Sequence, residues 1–234
     1  GWPKVGTDGI IQEQYPAPNL PQHIWEQEPI RDDFDSTSLR LAWNFVRNPH
    51  AADWSLMTNP GFLRLNGSDK SFKQKDSPAF VCRRQTVFNI VASTKINFIP
   101  TTSNEEAGLV VRGNDTNHYD FLITKFAGER VIMFRKYLMD KVAEIRYKKI
   151  PDSDIILRIS ATELQYQFWI QQAGQAAELI GSALTKNLST ALIGGFTGVF
   201  IGMYASGNGS KNTNPADFDW FDFEEDPVLP YSWA

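Results

Sequence analysis

Between Val87 and Phe98 the chain alternates well enough to fix its own local geometry. Phe88, Ile90, Ala92, Thr94, Ile96 and Phe98 fall on one side, and Asn89, Ser93, Lys95 and Asn97 on the other. A period of two belongs to a β-strand with one buried and one wet face. Related segments recur along the chain: Trp54–Thr58, Phe62–Asn66, Phe80–Arg84, Ala107–Arg112, Tyr119–Lys125, Val131–Tyr137, Ala143–Tyr147, Ile155–Ala161, Tyr166–Gln171, Val199–Ala205 and Phe218–Phe223. Turn signals separate them, among them Asn59-Pro60-Gly61, Asp115-Thr116-Asn117 and Pro151-Asp152. A first strand is expected around Asp32-Asp33-Phe34-Asp35, and only Ala183–Leu192 has room for a helical turn or two. Strand signals about every 8–12 residues predict an all-β fold, a two-sheet antiparallel β-sandwich over residues 31–225.

Residues 1–30 do not read as part of that core. Tyr15-Pro16-Ala17-Pro18-Asn19-Leu20-Pro21 is an extended proline-rich segment, and Pro29 adds another stop. Gly1-Trp2-Pro3-Lys4-Val5-Gly6 resembles the last strand of something upstream. The expected organisation is an upstream end and linker (1–30), the sandwich (31–225) and a C-terminal tail (226–234), cut from a longer protein. Lys plus Arg number 23 against 27 Asp plus Glu, a net charge of −4 that argues against nucleic acid as a partner. No apolar run approaches the roughly 18 residues of a membrane span, so a soluble chain is expected. Periplasmic or secreted placement would follow from a leader on the parent, upstream of this chain. The lone Cys82 excludes an intrachain disulfide, and His23, His50 and His118 lack metal-ligand spacing.

Five groups of residues invite a chemical reading. Asp222, Glu224 and Asp226 alternate as the carboxylates of a sandwich glycosidase would, but sit where a closing strand runs out into solvent. Glu105 and Glu106 are adjacent and point to opposite faces of a strand, so they cannot pair. Trp43, Trp54, Tyr119 and Trp169 are candidates for stacking on sugar rings, set against the demand of a two-sheet core for large aromatics. Asp33 and Asp219 lie beside apolar residues on the first and last strands, where a structural Ca²⁺ would suit two carboxylates brought together. Hydrogen bonds from Asp219 to backbone N–H groups are the alternative there, and no cofactor is required. Gly194-Gly195-Phe196-Thr197-Gly198 frames a bulky ring with three residues free to adopt φ > 0. Phe196 either folds back into its own core or is presented to another domain or a ligand.

The order and spacing of several pieces resemble the C-terminal domain of glycoside hydrolase family 43 β-xylosidases. They are Asp32-Asp33-Phe34, Arg47-Asn48-Pro49, Trp54-Ser55-Leu56, Gly61-Phe62-Leu63-Arg64-Leu65, Glu106-Ala107-Gly108-Leu109, Gly195-Phe196-Thr197-Gly198 and Ala216-Asp217-Phe218-Asp219-Trp220-Phe221. The resemblance implies a concanavalin A-like sandwich that follows a five-bladed catalytic propeller absent from this chain, and Gly1–Gly6 resembles that propeller's closing strand. It implies an accessory domain of a β-xylosidase or arabinofuranosidase-type hydrolase, without the catalytic acid and base. Its partners would be the propeller and, through it, a xylo- or arabino-oligosaccharide. By motif, Phe196 would wall the mouth of the active site, and Thr197 and Gly198 would shape the loop. The competing readings are an independent carbohydrate-binding module for xylan-type polysaccharide and, third, an autonomous sandwich glycosidase.

Overall fold

The computed structural model describes residues 6, 9–24, 28–211 and 214–225, with two antiparallel sheets among them. Strands are numbered in chain order. The eight-stranded sheet runs β13 (Glu178–Leu184), β12 (Gln165–Gln171), β11 (Ile155–Ala161), β6 (Ile90–Asn97), β15 (Ala216–Glu225), β4 (Leu63–Leu65) and β3 (Trp54–Ser55), with β1 (Arg31–Asp32) also on β15. The seven-stranded sheet runs β10 (Lys141–Lys149), β9 (Glu129–Leu138), β8 (Asn117–Phe126), β7 (Glu106–Asn114), β14 (Phe200–Ser206), β5 (Ala79–Arg84) and β2 (Asn44–Phe45). The expected all-β, two-sheet sandwich is the observed one.

Alternation puts the core between the sheets. Ile90, Ala92, Ile96, Leu157, Ile159, Phe168 and Phe221 face Leu109, Val111, Phe121, Ile132, Phe134, Ile201 and Met203 in one buried cluster. In β15, Phe218 and Phe221 are both buried although three apart, because the pairing with β6 shifts by one residue between Phe218 and Trp220. Such a bulge resets which residues face inward. The intervening positions of the seven-stranded sheet form a second apolar cluster on its outer face: Phe80, Cys82, Val110, Leu122, Met133 and Tyr204. Burial pushes the Cys82 thiol far up, consistent with an inert packing role.

That outer face is closed by the chain's own loop. Phe72 stacks on Tyr204 with centroids 4.8 Å apart and lies 5.3 Å from Phe80 and 5.0 Å from His118. The loop is tied down where Gly207 N–H donates to Ser68 O at 2.7 Å and Ser206 Oγ to Lys70 O at 2.8 Å. Beneath it runs a buried charged chain. Arg135 donates to both oxygens of Glu106 at 3.1 and 3.0 Å and to Asp120 Oδ2 at 2.7 Å, and His118 Nδ1 meets Asp120 Oδ1 at 2.5 Å. Burial raises the Asp120 carboxyl, but His118 and Arg135 outweigh it and hold it at about 2.

Several local expectations change. Phe88 lies outside β6 and is 59% exposed, because Gln85 Nε2 donates to the carbonyls of Val87 and Phe88 and bends the chain before the strand begins. The first strand shrinks to Arg31–Asp32, since Phe34 sits at φ 57° and cannot continue it. Strand β13, unforeseen, takes Ala183 and Leu184 from the expected helical stretch, which is left with a 3₁₀ turn (Thr185–Leu188) and α1 (Thr190–Ile193). Residues 9–24 form no ladder with the sandwich strands and are exposed. Phe223 N–H donates to Ile30 O, so the polypeptide enters β1 beside the C-terminal end of β15. The expected upstream strand at residues 1–5 and the tail at 226–234 lie outside the described residues.

Candidate functional site

Several large apolar side chains are exposed at the end of the sandwich where β14 starts. The 3₁₀ turn and α1 end at Gly194, whose φ of 72° closes the helix while its N–H donates to Thr190 O. Gly195 and Gly198 follow at φ 84° and 72°, so all three glycines of the motif use the conformation that L side chains resist. The result turns Phe196 outward, 104% exposed relative to its reference, with nothing of its own chain packed on the ring. The alternative that this ring folds back into the core is therefore not realised. Phe88, Leu164, Leu184 and Leu192 are also exposed around this end, two of them 67% or more.

A cleft of about 360 Å³ lies at the foot of the loop, lined in part by Gln85, Phe88, Tyr166, Lys186, Leu188 and Val199. Tyr166 donates its hydroxyl to Gln85 Oε1 at 2.7 Å, and burial keeps it protonated. Thr197 contributes its carbonyl, which accepts from Arg84 Nη1, and Gly198 lines the cleft. At the opposite end of β14, a larger cleft of about 870 Å³ is lined by polar groups including His50, Asp53, Asn66, Asp69, Asp76 and Lys211. No Trp, Tyr or Phe among the described residues lines it, so it lacks the large rings that stack on sugars.

The other expected positions scatter. Trp43 is buried, donates Nε1–H to Asp32 Oδ2 at 2.8 Å and packs edge-on to Phe221. Tyr119 is fully buried, its hydroxyl donating to Leu184 O at 2.8 Å. Neither presents a ring to a ligand; both serve the core, as a two-sheet interior demands. Trp54 is half-buried against Phe45, and Trp169 is half-buried on β12 with Nε1–H 3.3 Å from Ser160 Oγ. The four are not brought together on one surface.

The donor set at Asp33 and Asp219 does not fit Ca²⁺. Asp219 accepts from Lys95 Nζ at 2.8 Å, which neutralises it without a metal, and Lys95 also meets Asp154 at 3.6 Å. Asp33 is exposed. The buried acid of the first strand is its neighbour Asp32, whose oxygens are taken by Phe34 N–H and Trp43. Among the described residues no group of three or more His, Cys, Asp or Glu is placed to hold a metal. Asp222 is bound by both Arg31 donors at 2.7 Å, Glu224 is exposed, and Asp226 lies outside the described residues. Glu105 caps the 101–102 turn through backbone N–H groups at 2.5 and 3.2 Å, while Glu106 points to Arg135.

Sequence reasoning missed Arg84 and the buried chain from Glu106 to His118. The i,i+2 spacing of His118 and Asp120 was a signal, since both must point to one face of a strand. Nothing local announced Arg84.

Comparison with known proteins bears on the family and the fold. The profile of the family described as Beta xylosidase C-terminal Concanavalin A-like domain matches residues 31–224. The chain is 57% identical over 224 residues to the non-reducing end α-L-arabinofuranosidase BoGH43B of Bacteroides ovatus, covering 95% of this chain and 42% of that protein. It is 32% identical over 235 residues to a xylan 1,3-β-xylosidase of a Vibrio species, covering 96% and 43%. The Bacteroides ovatus xyloglucan PUL GH43B structure superposes with a TM-score of 0.92 at 56% identity, over 96% of this chain and 44% of that one. The xylan β-1,4-xylosidase of Bacillus halodurans gives a TM-score of 0.82 at 28% identity, over 89% and 41%. The chain thus spans less than half the length of the relatives it matches. No helix among the described residues is long and apolar enough to cross a membrane. By profile and by relatives, the chain belongs to the β-xylosidase C-terminal concanavalin A-like domain family of glycoside hydrolase family 43.

Proposed function

We propose that this chain is the accessory β-sandwich of a hydrolase acting on arabinosides or xylosides, and that it docks on a catalytic propeller and lends Phe196 to the mouth of the active site. One observation carries the reading: Phe196 is fully exposed on a loop whose three positive-φ glycines hold it outward. A single exposed apolar side chain is ordinary, but a ring held outward by three glycines amid other exposed apolar residues makes a patch suited to contact with another domain. Two further facts support the same end. The chain enters β1 there, so an upstream domain would be joined on that side. Phe88, Leu164, Leu184 and Leu192 would be covered by the same contact.

At the mouth of a sugar pocket, an apolar wall limits how many sugar units fit and excludes water from the leaving-group side. The chain's own contribution is steric and desolvating; among the described residues no carboxylate pair for acid–base hydrolysis faces the loop. A structural Ca²⁺ is not part of the proposal, and neither secretion nor periplasmic placement is needed for it. Independent polysaccharide binding is the weaker reading, because Trp43 and Tyr119 are buried.

The test uses 4-nitrophenyl arabinofuranoside, 4-nitrophenyl xyloside and the corresponding disaccharides with the full-length protein and with this chain alone. Turnover by the full-length protein only is expected, and F196A should lower its kcat/KM on disaccharide about tenfold, the scale of one lost apolar contact in a pocket. Unchanged kcat/KM rejects the role of Phe196. Retention of the isolated chain on xylan would favour the binding-module reading.

A further inference from the structure

We propose that Arg84 is the positioning residue for Phe196, resting on the reading above. The Phe196 ring touches nothing in its own chain, so its place is set entirely by the backbone on either side of it. On the N-terminal side the loop is tied by the Gly194 N–H bond to Thr190 O and by a long 3.4 Å contact from Asn114 Nδ2 to Ile193 O. On the C-terminal side the tie next to Phe196 is the guanidinium of Arg84, which donates Nη1–H to Thr197 O.

Arg84 is suited to that work. It ends β5 and pairs in register with Phe200, the first residue of β14, so it stands on rigid sheet. Its guanidinium lies 4.7 Å over the Phe200 ring, which fixes the plane of the donor. Gly198 leaves space beside it: a Cβ there would come to 3.9 Å of Nη1. Among the described residues no carboxylate pairs with Arg84, so its charge serves no ion pair of its own. Without this bond, residues 195–198 would carry two permissive glycines and no side-chain anchor. Each encounter with substrate would then order the loop afresh. The loss falls on binding, since a wall contacts ground and transition states alike.

The experiment is a double-mutant cycle in the full-length protein, reading kcat and KM on 4-nitrophenyl arabinofuranoside and on disaccharide for R84M, R84K, F196A and R84M/F196A, with the melting temperature of each. R84M is expected to lower kcat/KM about three- to tenfold, mainly through KM. R84K should recover part of this, because it keeps a donor but loses the stacked plane. In the F196A background, R84M should have no further effect. An equal effect of R84M in both backgrounds, or one that tracks a fall in melting temperature, overturns the inference in favour of an ordinary structural role. Wild-type kinetics for R84M beside an impaired F196A overturns it while leaving the role of Phe196 standing. Wild-type kinetics for F196A removes both.

Discussion

Among the loops of this molecule that carry a phenylalanine, two use it in opposite ways. Phe72 turns inward, 3% exposed, and closes the outer face of the seven-stranded sheet against Tyr204, Phe80 and His118. Phe196 turns outward with its ring bare. The first loop is held by what its ring touches. The second is held by backbone conformation and by bonds to its carbonyls. A loop whose aromatic finds a partner within the domain completes the fold. A loop in which three constrained glycines keep an aromatic in water is, on the reading proposed above, shaped for something outside it.

The contrast can be broken most directly by truncating both rings in this chain. F72A should cost about 3–5 kcal/mol in chemical denaturation, the range for a buried Phe-to-Ala change, while F196A should stay within about 0.5 kcal/mol. Comparable losses would mean that Phe196 packs on its own domain. The next effect is electrostatic and belongs to the Phe72 side. The Asp120 carboxyl is held at about 2 in the fold, below its ordinary value, so its contribution is present above about pH 4 and lost as pH falls toward 2. That contribution is on the order of 2 kcal/mol, and D120N should flatten this acid limb in a pH series of melting curves. An unchanged limb would detach the buried chain of charges from the stability of that face. The smallest effect sharpens the Phe196 side. Gly195 has φ 84° with nothing within 4 Å of a would-be Cβ, so Gly195→Ala should cost about 1 kcal/mol by conformation alone. No loss in denaturation would show that the loop does not depend on its glycines.

What could be read in advance divides along physical lines. Strand β6 was legible because its period-two pattern is the direct imprint of one wet and one dry face. Phe88 was misassigned to the same face because a side chain, Gln85, rather than the alternation itself, decides where the strand begins. Strand β13 left little trace because its sequence includes Gly181, a poor strand residue by propensity. That glycine is there because a Cβ would come within 2.3 Å of the Phe134 ring, a fact of packing invisible in one dimension. The glycine frame singled out Phe196 and the resemblance gave it a role, yet its outward orientation is a tertiary property. The carboxylate at Asp219 was read as needing a cation or hydrogen-bond donors, and the register that sets it beside Lys95 supplies a cation covalently attached to the chain. Asp120 and Arg135 are direct cross-strand partners on β8 and β9, so their pairing follows once the hairpin register is known.

The point at which the chain enters β1 has a consequence for affinity. A domain tethered through the segment before Arg31 would be confined near the end that carries Phe196, since Ile30 is bonded to Phe223 on the adjoining strand. Short tethers of this kind produce effective concentrations in the millimolar range. At such concentrations an association with a dissociation constant near 0.1 mM between separate molecules would be about 90% formed within one chain. If the proposed docking holds, the apolar residues around the loop would not have to make a tight interface to keep Phe196 in place; covalent connectivity would do most of that work.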